Sequence, residues 1–491
     1  MNDLLKFHLN GDSVQLQHMH HFHCDEDKNH FDILPLVTDY DEIDKQIIER
    51  IENLTAADNQ IWNSTDGKNY QFAHGLFQYP AMMVPVVQKK IIEIIKNAAP
   101  QIDSMIDPFM GSSTSLIAGM QLGLNCYGQD INPLAILLSK VKTNTIPFTN
   151  FELSKENLLN AITDDPSSAL ECLEFNVGKW FKHGVALQIG KIARGIKTES
   201  DLSTRQFYWI VLAETIRLTS NDRTSTFKLH IRSAENLESW NPSPVAIFTE
   251  LLDSSIEKLN VLYRLLKNSG YLNNDNIYIR EVFTGFGDTS KSLSFPGTNQ
   301  FPLLVTSPPY GDNRTTVPYG QHSYLALQWI DPKDIGINVE YLQGLSMYSI
   351  DNKSLGGTLK GKPYQEFLEV LLKVSINFRK DYTEKFANLN SPLKNKIVVF
   401  LYDLYKSVEN ANSSLLVNGY SVWTIGNRNV GGEIVRNNAY LIDFLTYLNS
   451  KFITTITREI FNKRMPKKND RASLMNFEDI IIFRKLDGKE R

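Results

Sequence analysis

The chain has 491 residues, of which 42% are hydrophobic, 22% charged and 11% aromatic. This composition is typical of a globular protein and argues against disorder, collagen and coiled coil. Three cysteines exclude a disulfide framework and fit a reducing compartment. The chain has no run of about 18 apolar residues and no apolar signal-peptide core at its N-terminus. We therefore expect a cytoplasmic protein with no membrane contact.

Charge is distributed unevenly along the chain, although the formal net charge is only −4. Residues 1–60 contain 13 acidic and 4 basic residues, whereas residues 451–491 contain 11 basic and 6 acidic residues. Such a distribution allows a polyanion to meet a basic face while an acidic face repels it. The alternative is a solvated basic tail, and charge alone is compatible with both.

The hydrophobic pattern predicts alternating helices and strands with one long helical interruption. Residues 40–54 have the pattern of a helix, and residues 101–145 have that of strand, turn, helix, strand and helix. Such a βαβ unit implies a parallel sheet. Strand patterns return after residue 276. We therefore predict four segments: a polar, acidic N-terminal arm (1–71), the first half of an α/β domain (72–148), an inserted, mainly helical region (149–275) and the second half of that domain with basic C-terminal strands (276–491).

The first chemical motif is the segment Asp107–Thr114, DPFMGSST, which follows an apolar strand and opens a helix. Gly111 supplies the small residue that a sharp turn needs, and the turn leaves helix N-terminal N–H groups free to meet a carboxylate or another anion. The segment matches neither a phosphate-binding loop nor the G-x-G-x-x-G dinucleotide pattern. Asp130 ends the next predicted strand, where an acidic side chain can accept hydrogen bonds from ribose hydroxyls. The pair favours a nucleoside cofactor; the alternative is an unliganded strand–turn–helix connection.

The second chemical motif is the segment Thr306–Tyr310, TSPPY, which follows the apolar strand 303–305. Its two prolines fix the backbone and remove two N–H donors, so carbonyl acceptors remain beside a serine hydroxyl and an aromatic face. This set suits a flat ring that bears an amino group: Tyr310 would stack on the ring, while Ser307 and the Pro308 carbonyl accept hydrogen bonds from the amino group. Those hydrogen bonds localise the nitrogen lone pair, and positioning then provides most of the catalysis. The alternative is a proline-rich loop without a ligand.

DPFMGS followed by TSPPY resembles the S-adenosylmethionine-dependent amino-methyltransferases of DNA, which modify cytosine N4 or adenine N6. The resemblance covers most of residues 72–485. Segment 74–81 (HGLFQYPA) is similar to the family segment before the cofactor loop, and segment 422–428 (VWTIGNR) to a later strand and loop. Segments 462–466 and 480–485 are similar to the C-terminal strands. The resemblance implies an α/β fold, with a Rossmann-like seven-stranded methyltransferase sheet and a largely helical insertion.

The resemblance also implies a role for each motif residue, with residues 72–148 as the cofactor-binding half and residues 276–491 as the catalytic half. The implied cofactor-binding residues are Phe77, Tyr79 and Pro80, which would close the methionine end; Asp107, Pro108, Phe109, Gly111 and Ser112 around the methionine; Asp130, Ile131 and Asn132 at the ribose; and Asp288 at the adenine amino group. The implied catalytic residues are Ser307, Pro308, Pro309 and Tyr310, which would hold a base extruded from the duplex.

The resemblance favours one target base through the residue at position 307. SPPY is associated more often with cytosine N4 in this family and DPPY with adenine N6, so we favour cytosine N4 and keep adenine N6 as the alternative. Methylation of cytosine C5 needs a thiolate nucleophile, usually after a proline, and no cysteine of this chain lies near TSPPY. Methylation of protein glutamine resembles this mechanism but typically uses Asn in place of Ser307.

About 190 residues separate Gly111 from Thr306, and the insertion 149–275 is a candidate target-recognition region. Polar and basic side chains in it, in the loop after TSPPY and near the C-terminus are candidates for contact with double-stranded DNA: Arg223, Lys228, Arg232, Asn313, Arg314, Lys463 and Arg464. For Arg223, Lys228 and Arg232 the alternative is a solvated strand. We expect no metal, because His18, His20, His21 and His23 match no zinc pattern with a second ligand pair.

The sequence therefore predicts a site-specific DNA amino-methyltransferase, expected in a restriction–modification system whose endonuclease acts separately. Two further readings remain: a non-catalytic nucleic-acid-binding protein on a methyltransferase fold, and an enzyme that acts on structured RNA. The intact motif residues speak against a decayed enzyme, and the length of the insertion favours duplex DNA.

Overall fold

A seven-stranded sheet with helices on both faces organises the chain. The computed structural model describes residues 39–63, 72–145, 151–297, 300–460 and 477–488. In chain order the elements are α1 (Tyr40–Ala57), α2 (Pro85–Ala98), β1 (Ser104–Asp107), α3 (Thr114–Met120), β2 (Asn125–Asp130), α4 (Pro133–Thr143), α5 (Phe151–Thr163), α6 (Val177–Trp180), α7 (His183–Lys197), α8 (Leu202–Thr219), α9 (Ala234–Ser239), α10 (Pro244–Asn268), β3 (Val282–Phe286), β4 (Phe301–Thr306), α11 (Tyr319–Leu327), α12 (Pro332–Ile335), α13 (Val339–Leu342), α14 (Ser349–Lys353), α15 (Tyr364–Val374), α16 (Ile376–Glu384), α17 (Ser391–Ser413), β5 (Leu415–Gly426), β6 (Arg428–Val430), β7 (Glu433–Val435), α18 (Asn437–Tyr447), β8 (Ser450–Glu459) and β9 (Phe477–Lys485).

The strand order of the sheet is β3-β2-β1-β4-β5-β9-β8. Strands β3, β2, β1, β4 and β5 pair in parallel, whereas β9 runs antiparallel to both β5 and β8. The order reverses between β1 and β4, and ligands of open α/β sheets bind at such a switch point, beyond the carboxyl ends of the strands. The predicted Rossmann-like seven-stranded methyltransferase sheet is confirmed, and strands β6 and β7 form a separate hairpin.

Both faces of the central strands are buried, and alternate side chains enter two different hydrophobic clusters. On β4, Leu303 and Val305 join one cluster, whereas Leu304 joins the other. Helices α1–α4 and the inserted helices cover the first face, and α15–α18 cover the second. Burial on both faces explains why these strands have continuous apolar runs instead of an apolar–polar alternation.

The insertion predicted to be mainly helical consists of α5–α10. Helix α8 is buried along most of its length, as expected of a helix that is surrounded by others. Its residues Phe207, Tyr208 and Trp209 are fully buried, and the Trp209 indole Nε1 donates a hydrogen bond to Asp334 Oδ2 at 2.7 Å. The aromatic residues of this helix therefore belong to the core that covers one face of the sheet. No helix among the described residues is both long and apolar enough to span a membrane.

Helix α1 is joined to the far edge of the sheet by a buried ion pair. Asp44 accepts hydrogen bonds from Arg484 Nη2 of β9 at 2.9 Å, from Lys451 of β8 at 2.9 Å and from the Tyr420 hydroxyl of β5 at 2.8 Å. A compact unit extends from Tyr40 to Arg491, so this helix belongs to it, although the sequence placed it in the arm 1–71. The predicted segments 72–148, 149–275 and 276–491 all lie in that same unit.

Removal of the Asp44 carboxylate should destabilise the fold strongly. In Asp44→Ala, Arg484 would be left as a buried charge without its main partner, which typically costs about 3–5 kcal/mol. Urea denaturation followed by circular dichroism measures the free energy of unfolding. Glu49→Ala, an exposed change on the same helix, should stay within about 0.5 kcal/mol of the wild type. Equal effects of the two changes would contradict the anchoring role of Asp44.

Candidate active site

A cleft lies at the carboxyl ends of β1, β2 and β4, at the switch point of the sheet. The structure brings both chemical motifs to this one cleft. Of the residues selected from the sequence, those that line it are Tyr79, Pro108, Phe109, Gly111, Ser112, Asp130, Ile131, Asn132, Asp288, Ser307, Pro309 and Asn313.

The loop between β1 and α3 forms one wall of the cleft. Gly111 has φ +45°, a backbone conformation that strains any residue with a side chain, and its Cα lies beside the Tyr79 ring. The Gly111 N–H donates to Asp130 Oδ2 at 2.9 Å. Lys142, buried on α4, donates to the Ser112 carbonyl at 2.8 Å, and burial lowers the pKa of this lysine to about 7.

Asp130 stands at the end of β2 with its carboxylate at the cleft. Its Oδ1 accepts a hydrogen bond from the Asn132 N–H at 2.8 Å, in addition to the bond from Gly111. Burial raises the pKa of Asp130 to about 6, while these backbone hydrogen bonds oppose the rise. The group is therefore largely ionised at neutral pH and offers acceptor lone pairs to hydroxyl groups in the cleft.

Asp107 lies beneath this loop and is not among the described residues that line the cleft. It is fully buried and accepts hydrogen bonds from the Thr306 hydroxyl at 2.6 Å, from the Phe109 N–H at 3.0 Å and from the Ser115 hydroxyl. The carboxylate thus joins the end of β1 to the end of β4. The position of Asp107 differs from the expectation that it lines the methionine side of a cofactor, because nearby donors draw its oxygens inwards.

The TSPPY loop begins where β4 ends, and Ser307 and Pro309 face the cleft, whereas Pro308 is buried. The Tyr310 hydroxyl lies 3.4 Å from Ser307 Oγ and donates to Glu478 Oε2 of β9 at 2.8 Å. Burial and the neighbouring Glu478 charge raise the pKa of Tyr310 well above its usual value, so the hydroxyl stays protonated. Glu478 is itself paired with the buried Arg458 of β8.

Two further contacts fix the tyrosine. The Asn437 Nδ2 group donates to the carbonyl groups of Tyr310 and Gly426, both at 2.9 Å. The Tyr310 ring lies against Gly426, where an added Cβ atom would be only 2.7 Å away. A glycine is therefore required at the end of β5. Tyr310 is held by β5, α18 and β9, and it is not among the described residues that line the cleft.

The other predicted cofactor residues lie in two places, the turn that begins at Asp288 and the segment 77–80. Asp288 begins a turn, in which its Oδ1 accepts from the Ser290 hydroxyl at 2.7 Å, and it lies 3.1 Å from Lys291 Nζ. The Tyr79 hydroxyl accepts from Asn132 Nδ2 at 3.2 Å. Phe77 and Pro80 are buried beside Tyr79 and do not contribute to the described cleft lining.

The candidate DNA contacts are spread over three places. Arg223, Lys228 and Arg232 lie on the irregular loop 221–232, which an Asp222–Ile231 bridge closes, and the Arg232 guanidinium lies 3.7 Å from the Trp240 ring centre. Asn313 lines the cleft, and the next residue, Arg314, is exposed 5.6 Å from the Tyr348 ring centre. The remaining candidates lie outside the described residues, as does the histidine cluster of the N-terminal segment: Lys463, Arg464, His18, His20, His21 and His23.

Sequence reasoning missed the side chains that support the two motifs. Thr306 stood inside TSPPY without an assigned role, and Arg428 stood inside the similar segment 422–428. Arg428 Nη2 lies 3.2 Å from Asp312 Oδ2, which fixes the loop after Tyr310 to β6. Glu478 gave no local signal, because its partner Tyr310 is 168 positions away.

The chain is similar in sequence to known methyltransferases. No family model matches it. The type II methyltransferase M.MvaI of Kocuria varians is 30% identical over 437 residues, which cover 87% of this chain and 92% of that protein. The chain belongs to the type II methyltransferase family. M.MjaII, a type II methyltransferase of Methanocaldococcus jannaschii, is 36% identical over 69 residues, or 14% of this chain and 12% of that protein.

A solved structure, the rRNA methyltransferase aviRa of Streptomyces viridochromogenes, aligns with 89% of this chain and 94% of its own. The TM-score is 0.28 and the identity 10%, a likeness too low to support an inference. The family implies S-adenosylmethionine as the methyl donor. The cleft of this type II methyltransferase fits that group in its donor and acceptor set: an ionised Asp130, a glycine loop that admits close approach, and a buried acceptor, Asn313 Oδ1, that has no hydrogen-bond partner among the described residues.

The buried Asp107 should make stability fall as the pH rises. Burial raises its pKa to about 6 from the usual 3.8, although the hydrogen bonds from Ser115, Thr306 and Phe109 lower it. Between these values the folded protein binds more protons than the unfolded chain, so ionisation of Asp107 destabilises the fold. The free energy of unfolding of the wild type minus that of Asp107→Asn should therefore fall by about 2–3 kcal/mol from about pH 4 to about pH 7.

The measurement is urea denaturation of both proteins at several pH values. Lost hydrogen bonds in Asp107→Asn shift the difference by a constant and leave its slope unaffected. Asp103→Asn, an exposed change just before β1, controls for the loss of one carboxyl group. A difference that stays constant or grows with pH would show that Asp107 is not the buried, hard-to-ionise group described above.

Proposed function

We propose that this methyltransferase is site-specific and acts on DNA, transferring a methyl group from S-adenosylmethionine to the exocyclic amino group of a flipped base, with cytosine N4 favoured. One observation carries the proposal: Ser307 and Pro309 line the same cleft as Gly111 and Asp130. A nucleoside cofactor beside these last two residues would thus lie next to the loop suited to an amino-bearing ring. Membership in the type II methyltransferase family supports the same reading.

The cofactor supplies an electrophilic methyl group, and the residues of the chain supply position. Under the proposal, Ser307 Oγ and the Pro308 carbonyl accept hydrogen bonds from the target amino group, so its lone pair points towards the methyl group. Tyr310 presents its ring to the base. The hydroxyl bond to Glu478 and the contact with Gly426 restrict the ring, which lowers the entropic cost of stacking.

Duplex DNA is the proposed partner. An amino group on a paired base of such a duplex can be reached only after the base is extruded. Exposed Arg314 lies next to the cleft-lining Asn313 and is a candidate phosphate contact. Arg223 and Lys228 on the loop 221–232 are further candidates, together with Lys463 and Arg464. The insertion 149–275 is proposed as a target-recognition region, and a cognate restriction endonuclease is proposed to act separately.

The preference for cytosine rests on Ser307. An ionised aspartate would be a charged acceptor for the amino group, whereas serine is a neutral one that can also donate. The resemblance associates this neutral acceptor with cytosine N4 more often than with adenine N6.

Nucleoside mass spectrometry tests the substrate and the base together. Purified protein is incubated with isotope-labelled S-adenosylmethionine and mixed-sequence duplex DNA, with structured RNA as the control, and the nucleic acid is digested to nucleosides. We expect labelled N4-methylcytosine from DNA. Labelled N6-methyladenine would overturn the base assignment and retain the reaction, whereas label in RNA alone would overturn the substrate class. No label in any sample despite cofactor binding would contradict the proposal of an active DNA enzyme.

Ser307→Ala and Tyr310→Ala should separate transfer from cofactor binding. Each removes a group proposed to hold the target base, so the rate of transfer should fall by about 100-fold or more. Affinity for S-adenosylhomocysteine, measured by isothermal titration calorimetry, should stay within about twofold, since a loss of 0.4 kcal/mol is about twofold. Tyr447→Ala, an exposed change at the end of α18, should leave both quantities unchanged. Normal turnover in both active-site variants would refute the assigned roles.

A further inference from the structure

Asn313 has a buried hydrogen-bond acceptor that faces no donor from the described residues. The residue is 3% exposed, and its Oδ1 atom makes no hydrogen bond within the described part of the chain. Buried polar atoms are nearly always paired, because an unpaired one loses its bonds to water without replacement. The same residue lines the cleft that holds both chemical motifs. An occupant of the cleft with an N–H donor would satisfy this atom.

The carboxylate of Asp351 determines which atom of the Asn313 amide, Oδ1 or Nδ2, faces away from it. Burial raises the pKa of the Asp351 carboxyl to about 6, while the backbone N–H groups of Gly320 and Gln321 and the nearby Asn313 side chain lower it. An ionised carboxylate only accepts hydrogen bonds, so the amide must turn its Nδ2 group towards Asp351. Oδ1 is then left as the free acceptor.

Asp351 is well placed to hold that orientation. It is fully buried on α14 and accepts hydrogen bonds from the Gly320 N–H at 2.7 Å and the Gln321 N–H at 3.2 Å, both in the first turn of α11. These two backbone hydrogen bonds fix the position of the carboxylate. Asn313 does not need to reorganise before it accepts a hydrogen bond.

The charges around this part of the cleft favour a cationic donor. Burial is the main cause of the raised pKa of the Tyr79 hydroxyl, and the charges of Asp130 and Asp351 raise it further, so two carboxylates act on this end, with exposed Arg314 acting on Asp351. Tyr79 lines the cleft, with its ring centre 5.7 Å from that of Tyr319, another cleft residue. A negative potential together with a buried acceptor suits an ammonium group better than a neutral amino group, because a charge-assisted hydrogen bond is stronger.

We propose that Asn313 Oδ1 binds the α-ammonium group of S-adenosylmethionine, and that Asp351 is the positioning residue that orients the amide. The inference rests on the proposed use of that cofactor and adds a specific residue to its binding. It moves Asn313 from the predicted DNA contacts to the cofactor site, while its neighbour Arg314 remains a candidate for DNA.

Isothermal titration calorimetry with two ligands tests this assignment without turnover. One ligand is S-adenosylhomocysteine, and the other is its analogue in which hydrogen replaces the α-amino group. The wild type should prefer the amino ligand. In Asn313→Ala, affinity for S-adenosylhomocysteine should fall by about 10-fold or more, while affinity for the analogue should be nearly unchanged. The preference between the two ligands is the decisive quantity, because a general loss of structure would weaken both.

Two further variants keep the test decisive. In Asp351→Asn, the new amide at position 351 can donate as well as accept hydrogen bonds, so it no longer fixes the orientation of the Asn313 amide. The preference for the amino ligand should therefore shrink, although residue 313 itself is unchanged. Asn412→Ala is the matched control: this buried amide is paired at both ends, with Ser450 and with the Leu448 carbonyl. It should lower stability and leave the preference unchanged.

The outcomes separate the inference from the proposed function. If the wild type binds S-adenosylhomocysteine and Asn313→Ala keeps the wild-type preference, Asn313 does not bind the ammonium group and the inference is wrong. An equal loss of affinity for both ligands would assign Asn313 a structural role and would also overturn it. If the wild type binds neither ligand, the cofactor of the proposed function fails, and this inference fails with it.

Discussion

One buried carboxylate unites the two halves of the active site. Asp107 ends β1 and accepts a hydrogen bond from Thr306, which ends β4, although the two residues are 199 positions apart. The same carboxylate accepts from Ser115 and from the Phe109 N–H, so it also fixes the first turn of α3 and the loop between. The loop between β1 and α3 and the TSPPY loop are therefore fixed to each other through Asp107, beneath the cleft. Because methyl transfer depends on alignment of donor and acceptor, this connection matters for rate as well as for stability.

The location of the site could be predicted from the sequence, since each motif is a short strand followed by a turn. Proline and glycine at fixed places in DPFMGS and TSPPY determine the local backbone, and the ends of parallel strands meet at one edge of a sheet. The inserted helices were predictable because the hydrophobic pattern of a helix continues there over many residues.

The supporting contacts could not be predicted, because they join distant segments. Glu478 reaches Tyr310 from β9, and Asp351 reaches Asn313 from α14. Nothing in the local sequence of a glutamate or an aspartate reveals such a partner. The direction of a loop side chain was equally hidden: whether Asp107 faces a ligand or the protein depends on where Thr306 and Ser115 lie. The sequence also placed helix α1 in a polar arm, because the contacts of Asp44 with Arg484, Lys451 and Tyr420, which join the helix to the sheet, are all long-range.

The tyrosine of the TSPPY loop depends on the last strand of the sheet. Strand β9 lies between β5 and β8, and its Glu478 holds the Tyr310 hydroxyl. During synthesis on the ribosome, a nascent chain that already contains every motif residue still lacks this restraint until residue 478 has emerged and β9 has entered the sheet. Such late, long-range strand pairing is slow to form. A nascent chain that contains TSPPY but not yet β9 would thus hold Tyr310 loosely, because the residue that restrains its hydroxyl lies 168 positions later.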